Sequence, residues 1–251
     1  MVSGKSSPVA LITGASSGIG EATATSLTDL GMTVHATARR ENRLKDVASR
    51  TGCAVHVLDV TDSAGVEELI AEIGTIDILV NNAGLGRGWG SLVEATYADI
   101  EMTVATNVTA ALHMVHAVLP GMIEQGSGHI VNIGSMAGLY PLPAALYGAT
   151  KGAMHRLSTN LRLELHGSGV RVTEICPGRV ATEFYDVAID DPEVRAAIKK
   201  TDTIDVTAAE CADTIAYAVT RPPHMNINRI ELQPTEQTYG GSQFNVRGAT
   251  A

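Results

Sequence analysis

Val9-Ala10-Leu11-Ile12-Thr13-Gly14-Ala15-Ser16-Ser17-Gly18-Ile19-Gly20 runs from an apolar stretch straight into a glycine-rich turn, and Glu21-Ala22-Thr23-Ala24 then resumes in good helix formers. A short run that is apolar throughout reads as a parallel strand covered on both faces. Glycine lets the chain turn sharply and lets an anion approach the backbone with no Cβ in the way. The helix that follows offers unpaired N–H groups and the positive end of its dipole to a phosphate. The spacing is G-x-x-x-G-x-G, not the commoner dinucleotide spacing G-x-G-x-x-G. Gly14, Ser16, Ser17, Gly18, Ile19 and Gly20 are thus the first candidate cofactor contacts; a bare strand-to-helix turn is the alternative.

Outward from this turn the same alternation repeats. Strand-like runs lie at 33–37, 54–58, 76–80, 129–133, 170–175 and 227–232, separated by helix-length segments at 18–30, 41–50, 62–73, 95–125, 144–167 and 207–219. Strands alternating with crossover helices predict an α/β fold: one doubly wound Rossmann domain over residues 1–251, with seven parallel strands and helices on both faces. Residues 1–7 read as an N-terminal extension. Residues 182–205 form a connection too long for a compact domain, as a substrate lid would. Residues 233–251, rich in Gly, Gln and Thr, read as a tail that is either disordered or laid across a neighbouring subunit.

Composition narrows the class. Apolar residues are 45% and charged residues 18% of 251, which suits a folded core. A net charge of −9 disfavours nucleic acid and anionic membranes as partners. The apolar run at 9–12 is too short for a signal peptide, and no apolar run approaches bilayer length. Cys53, Cys176 and Cys211 form no C-x-x-C pair, and the histidines show no ligand spacing. Neither a disulfide scaffold nor a metal site is expected, and a reducing, cytoplasmic setting is.

At the end of the second strand an NAD-binding chain would place an acid against the ribose 2′-hydroxyl. Here Ala38 is followed by Arg39 and Arg40. A guanidinium without an acid favours a 2′-phosphate, hence NADP(H), unless both arginines merely solvate the next helix. Tyr147 and Lys151 stand four apart, on one face of a helix. A phenol near neutrality is a reluctant proton donor, and a nearby ammonium draws its pKa toward the working range. Ser135 sits at the end of the fifth strand, on the edge that carries the glycine turn, where a hydroxyl could donate to a developing oxyanion.

Thr13-Gly14-x-x-x-Gly18-Ile19-Gly20, Asn81-Asn82-Ala83-Gly84, Asn107, Ser135, Tyr147-x-x-x-Lys151 and Pro177-Gly178 resemble, in order and spacing, the short-chain dehydrogenases/reductases, over residues 8–232. The runs at 133–138, 147–151 and 226–239 resemble its NADP-dependent 3-hydroxy acid, or serine-type, dehydrogenases. The resemblance implies that Tyr147 is the acid–base and that Lys151 tunes it and holds the nicotinamide ribose. It implies that Ser135 orients the substrate oxygen and that Asn107 holds a relay water. Asp59 and Val60 would contact adenine, Asn81, Ala83 and Gly84 would line the cofactor channel, and Pro177, Gly178, Val180 and Thr182 would pack on the nicotinamide. A homotetramer is implied as well. Arg87 or Arg179 could clamp a substrate carboxylate, with Met136 as pocket wall; surface or cofactor-phosphate roles are the alternative for both arginines. The expected reaction is hydride transfer between the cofactor and a small hydroxy acid or semialdehyde. Hydrophobic or cyclic ketones, and an inactive nucleotide-binding protein, are the other readings.

Overall fold

The glycine turn joins the first strand to the first helix in a computed structural model that describes residues 7–200, 203–239 and 244. Three strand–helix units open the chain: β1 (Val9–Thr13), α1 (Gly18–Asp29), β2 (Thr33–Ala38), α2 (Glu41–Thr51), β3 (Ala54–Val57) and α3 (Ser63–Ile73). Next come β4 (Ile78–Asn81), α4 (Tyr97–Val104), a π-helical turn at Ala105–Thr109, and α5 (Ala110–Glu124). They are followed by β5 (Gly128–Ile133), a 3-10 turn at Met136–Gly138, α6 (Ala145–Glu164) and β6 (Val170–Pro177). The last part holds β7 (Val180–Ala181), α7 (Phe184–Ala188), α8 (Pro192–Lys199), β8 (Val206–Thr207), α9 (Ala208–Val219) and β9 (Arg229–Leu232).

The main sheet has seven strands in the order β3-β2-β1-β4-β5-β6-β9, every neighbouring pair parallel. This is the expected doubly wound α/β architecture. Alternate residues of each strand serve opposite faces. Ala10, Ile12, Val80 and Ile175 join Leu27 of α1, Leu44 of α2 and Ile215 of α9 in one core. Leu11, Leu79, Ile130 and Val172 join Leu69 of α3, Met114 of α5 and Leu161 of α6 in the other. Capping boxes at Thr96/Asp99 and Thr207/Glu210 set where α4 and α9 begin. Arg171, inside β6, donates to the carbonyls of Ala218 and Val219 at the end of α9, where a cation meets the negative end of the helix dipole.

Two expectations are corrected. The segment read as one regular helix at 95–125 is α4 and α5 joined through the π turn. That joined helix, Tyr97–Glu124, is by length and composition apolar enough to cross a bilayer, contrary to the sequence reading. Its Met114, Val115, Val118 and Met122 are buried against the sheet and α3. The 182–205 connection holds short helices of its own where described. Asp191 caps α8 with Pro192 in its first turn, and β7 pairs with β8 at the segment's two ends.

From β1 the winding proceeds one way through β2 and β3 and the other way through β4, β5, β6 and β9, so the crevice opens at the carboxyl ends of β1 and β4. A buried polar chain braces that edge. Asn81 Nδ2 donates to Asn132 Oδ1 (3.0 Å), Asn132 Nδ2 to Ser158 Oγ (2.9 Å), and Ser158 Oγ to the Met154 carbonyl (2.9 Å). Asn132→Ala leaves the Asn81 amide without its acceptor and Ser158 without its donor, a loss of roughly 1–3 kcal/mol. Urea unfolding should show a lower midpoint with an unchanged slope.

Candidate active site

A cavity of about 920 Å³ occupies the crevice. Every residue expected at the site lines it except Gly20, Asn81, Asn107 and Arg87. At its near end Gly14 has φ +66°, and a Cβ there would stand 2.8 Å from the Ala83 Cα, so the turn after β1 and the loop after β4 touch backbone to backbone. Asn82 secures that contact, donating from Nδ2 to the Thr13 carbonyl (2.9 Å), while its N–H and that of Ala83 both donate to Thr13 Oγ1. The side chain of Asn81, expected in the channel, turns instead to Asn132. Asn82 thus ties the glycine turn to the loop after β4, while Asn81 ties β4 to β5.

The arginines after β2 face the glycine turn. Arg40 donates from Nε to Ser16 Oγ (3.1 Å) and from Nη2 to Ser17 Oγ (2.5 Å). Arg39, largely exposed, stands 3.5 Å from the Asp59 carboxylate. Glu183, immediately before α7, bridges Arg40 (3.3 Å) and Arg43 (2.9 Å). The sequence reading missed Arg43; its position three residues after Arg40, on the same helical face, was the available signal. Two guanidinium groups, two serine hydroxyls and the α1 N-terminus converge here, a donor set that fits a dinucleotide bearing an extra phosphate.

Deeper in the crevice α6 brings Tyr147 and Lys151 to the end of β5. Gly138 permits the fit, because a Cβ there would meet the Lys151 carbonyl oxygen at 2.4 Å. Lys151 Nζ donates to the Ile133 carbonyl (2.7 Å) and lies 5.8 Å from the centre of the Tyr147 ring. Burial lowers the Lys151 pKa to about 8. Burial pushes the Tyr147 phenol upward, outweighing the downward pull of the neighbouring Ser135 hydroxyl. This upward push of burial runs against the downward tuning expected from a nearby ammonium. Ser135 Oγ also accepts from the Ala137 N–H (3.1 Å), which caps the 3-10 turn.

Asn107 sits in the π turn, and such bulges often mark functional positions. Its side chain donates to the Leu85 carbonyl (2.8 Å) and Thr150 Oγ1 (3.0 Å) and accepts from the Leu85 N–H (2.8 Å). It thus joins the loop after β4 to the residue preceding Lys151, and a Cβ on Gly84 would lie 3.4 Å from its Oδ1 and 3.7 Å from Lys151 Nζ.

The far end is walled by aromatic rings. Trp89 stands 5.4 Å from Tyr147, 5.7 Å from Phe184 and 5.4 Å from Tyr185, centre to centre. Neither arginine expected to clamp substrate presents an empty guanidinium. Arg87 lies outside the cavity lining, between Asp99 (3.2 Å) and Asp190 (2.6 Å). Arg179 does line it, but its Nε grips Asp205 (2.8 Å) and its Nη atoms donate to the carbonyls of Ile198 and Lys199. The Arg179 side chain also packs on the rings of Tyr185 and Phe244. The described part of the tail folds onto its own chain: Gln237 accepts from the Arg179 N–H (3.0 Å), and Tyr239 hydrogen-bonds to Tyr140. Residues 240–243 and 245–251 of the expected tail, and 1–6 of the expected extension, lie outside the described residues.

Comparison with known proteins matches this arrangement. The short chain dehydrogenase family model matches residues 8–192. The chain is 39% identical over 241 residues to the NADP-dependent 3-hydroxy acid dehydrogenase YdfG of Escherichia coli O6:H1, covering 93% of this chain and 97% of that one. It is 40% identical over 240 residues to serine 3-dehydrogenase of Agrobacterium fabrum, covering 93% and 96%. Among solved structures, the closed form of a serine dehydrogenase complexed with NADP+ superposes with a TM-score of 0.89 at 39% identity, over 95% of this chain and 99% of that one. With its glycine turn, its Ser135–Tyr147–Lys151 grouping and these likenesses in hand, the chain belongs to the short-chain dehydrogenase family.

Proposed function

We propose that this protein is an NADP(H)-dependent oxidoreductase that interconverts a small 3-hydroxy acid with its semialdehyde or oxo acid. The observation that carries the reading is that Ser135, Tyr147 and Lys151 line one cavity large enough for a dinucleotide and a small substrate, with Lys151 Nζ 5.8 Å from the centre of the Tyr147 ring. The serine-type and 3-hydroxy acid relatives support the substrate class. The turn at 14–19, with Arg39 and Arg40, holds the phosphates. Asp59 and Val60 would contact the adenine, Ala83 and Gly84 would line the cofactor channel, and Pro177, Gly178, Val180 and Thr182 would flank the nicotinamide; all of them line the cavity. When bound, the dinucleotide supplies or accepts the hydride at its nicotinamide.

The chain's own residues do the rest. Ser135 donates to the substrate oxygen and fixes its position, which turns an encounter into an oriented reaction. Tyr147 gives its phenolic proton to that oxygen during reduction and takes it back during oxidation. Lys151 stabilises the phenolate that remains, and Asn107 anchors the loop and helix on either side of it. With Arg87 and Arg179 committed to carboxylates, Lys200, at the lid end of the cavity lining, is the cation proposed to face a substrate carboxylate. A second reading, reduction of hydrophobic ketones, draws on the ring cluster of Trp89, Phe184 and Tyr185. Exposed Met102, Val104, Leu112 and Ile123 along α4 and α5 support the expected homotetramer.

NADPH absorbance over a panel of 3-hydroxy acids, semialdehydes, their methyl esters and hydrophobic ketones tests the substrate class. The acids are expected to outpace their esters; a preference for ketones selects the second reading, and no turnover on any of them sinks both. Tyr147→Phe should cost about 10²–10⁴-fold in kcat while leaving NADPH binding, followed by fluorescence, in place. Arg40→Ala or Arg39→Ala should weaken NADPH relative to NADH by about tenfold, the loss of one charge-assisted contact. Light scattering should give a mass four times the 26.2 kDa chain.

A further inference from the structure

On β6, Val172, Glu174 and Cys176 share one face, the side covered by α6. Glu174 is fully buried. Its Oε2 lies 2.7 Å from Nδ1 of His155, which stands one turn beyond Lys151 on α6. Its Oε1 is buried with no hydrogen-bond partner among the described residues. That oxygen rests against Gly134, where a Cβ would stand 2.6 Å away, and Gly134 directly follows the residue whose carbonyl holds Lys151. Neither Glu174 nor Cys176 lines the cavity. A carboxyl with an unused oxygen in the interior is costly, and such groups persist where they meet an opposite charge. Lys151, one turn before His155 on α6, is a buried cation whose charge Glu174 favours.

We propose that Glu174 is a positioning residue of the reaction: its buried carboxylate is the counter-charge that keeps Lys151 an ammonium, and His155 fixes the carboxyl in place. The proposal rests on the reading of Tyr147 and Lys151 as the acid–base pair. Burial drives Lys151 downward, while Cys176 and Glu174 oppose that shift. The Cys176 thiol is itself pushed up by burial and by Glu174, so it is neutral at physiological pH and Glu174 supplies the negative charge. Arg162 of α6 also feels the Glu174 charge, while its guanidinium donates to the carbonyls of Val172 and Asn228. On β9, Arg229 and Glu231, in register with Glu174 and Cys176, pair with each other at 2.9 Å. Around Lys151 stand Tyr147 and the uncharged side chains of Ser135 and Asn107.

Removing a buried negative charge favours the deprotonated form of an ammonium and of a phenol alike. Glu174→Gln should therefore move the alkaline limb of the kcat/KM profile to lower pH by about one unit, the effect of one nearby charge. Glu174→Asp, which keeps the charge, should restore the limb. Glu174→Met, similar in volume, repeats the test if the amide variant does not fold. An alkaline limb unmoved in the charge-removing variants overturns the proposal. A second readout needs no turnover: a double-mutant cycle of unfolding free energies, measured on the ligand-free protein, with Glu174→Gln and Lys151→Met. Coupling supports the pair, and additivity overturns it. If the wild-type chain turns over no substrate, the acid–base reading fails, while the unfolding cycle still decides whether the two charges interact.

Discussion

The site depends on a buried ammonium. Lys151 has almost no access to water, and an uncompensated charge in the interior is among the costliest things a fold can hold. The Ile133 carbonyl at the end of β5 accepts a hydrogen bond from it, and that fixes α6 against the edge of the sheet. Tyr147, one turn earlier, is then set over Ser135, and Thr150, next in line, meets the Asn107 amide. If α6 slid by one residue along the sheet, the ammonium would lose its acceptor, the phenol would leave the serine, and Asn107 would lose its link to α6. The chemistry and the packing of the helix are one constraint.

Much of this is legible in the residues alone. An apolar run followed by a glycine turn, repeated strand–helix spacing, and arginines where an acid would otherwise sit each have a local physical cause, so the fold and the phosphate end could be read from the residues in order. Tyr147 and Lys151 were legible because helical spacing alone puts them on one face. Contacts between residues distant in the chain were not. Nothing local says that Arg87 will be held by Asp99 and Asp190, or that Arg179 will be spent on Asp205. The π turn was equally hidden. One extra residue in a helical turn changes no composition, yet it shifts the phase between α4 and α5 and places Asn107 toward Leu85.

Desolvation also separates the two kinds of reading. From spacing, a cation beside a phenol lowers the phenol's pKa; in the folded chain burial acts on both groups, and the tyrosine rises while the lysine falls. Charge in the second layer around the site then becomes as important as the groups that meet substrate. Glu174 looked like an ordinary strand residue in a run of valine, threonine and isoleucine, and only the packing of α6 against β6 gives it a neighbourhood.

Arg179 ties together three pieces of chain that are far apart in sequence. Its backbone follows the β6 turn, its guanidinium grips Asp205 and the end of α8, and Gln237 and Phe244 of the tail rest on it. The outer wall of the cavity is therefore a single mechanical unit hinged on one side chain. Reshaping the pocket by exchanging only one of those segments would break the shared fastening, so a designed change of substrate range has to carry all three along together.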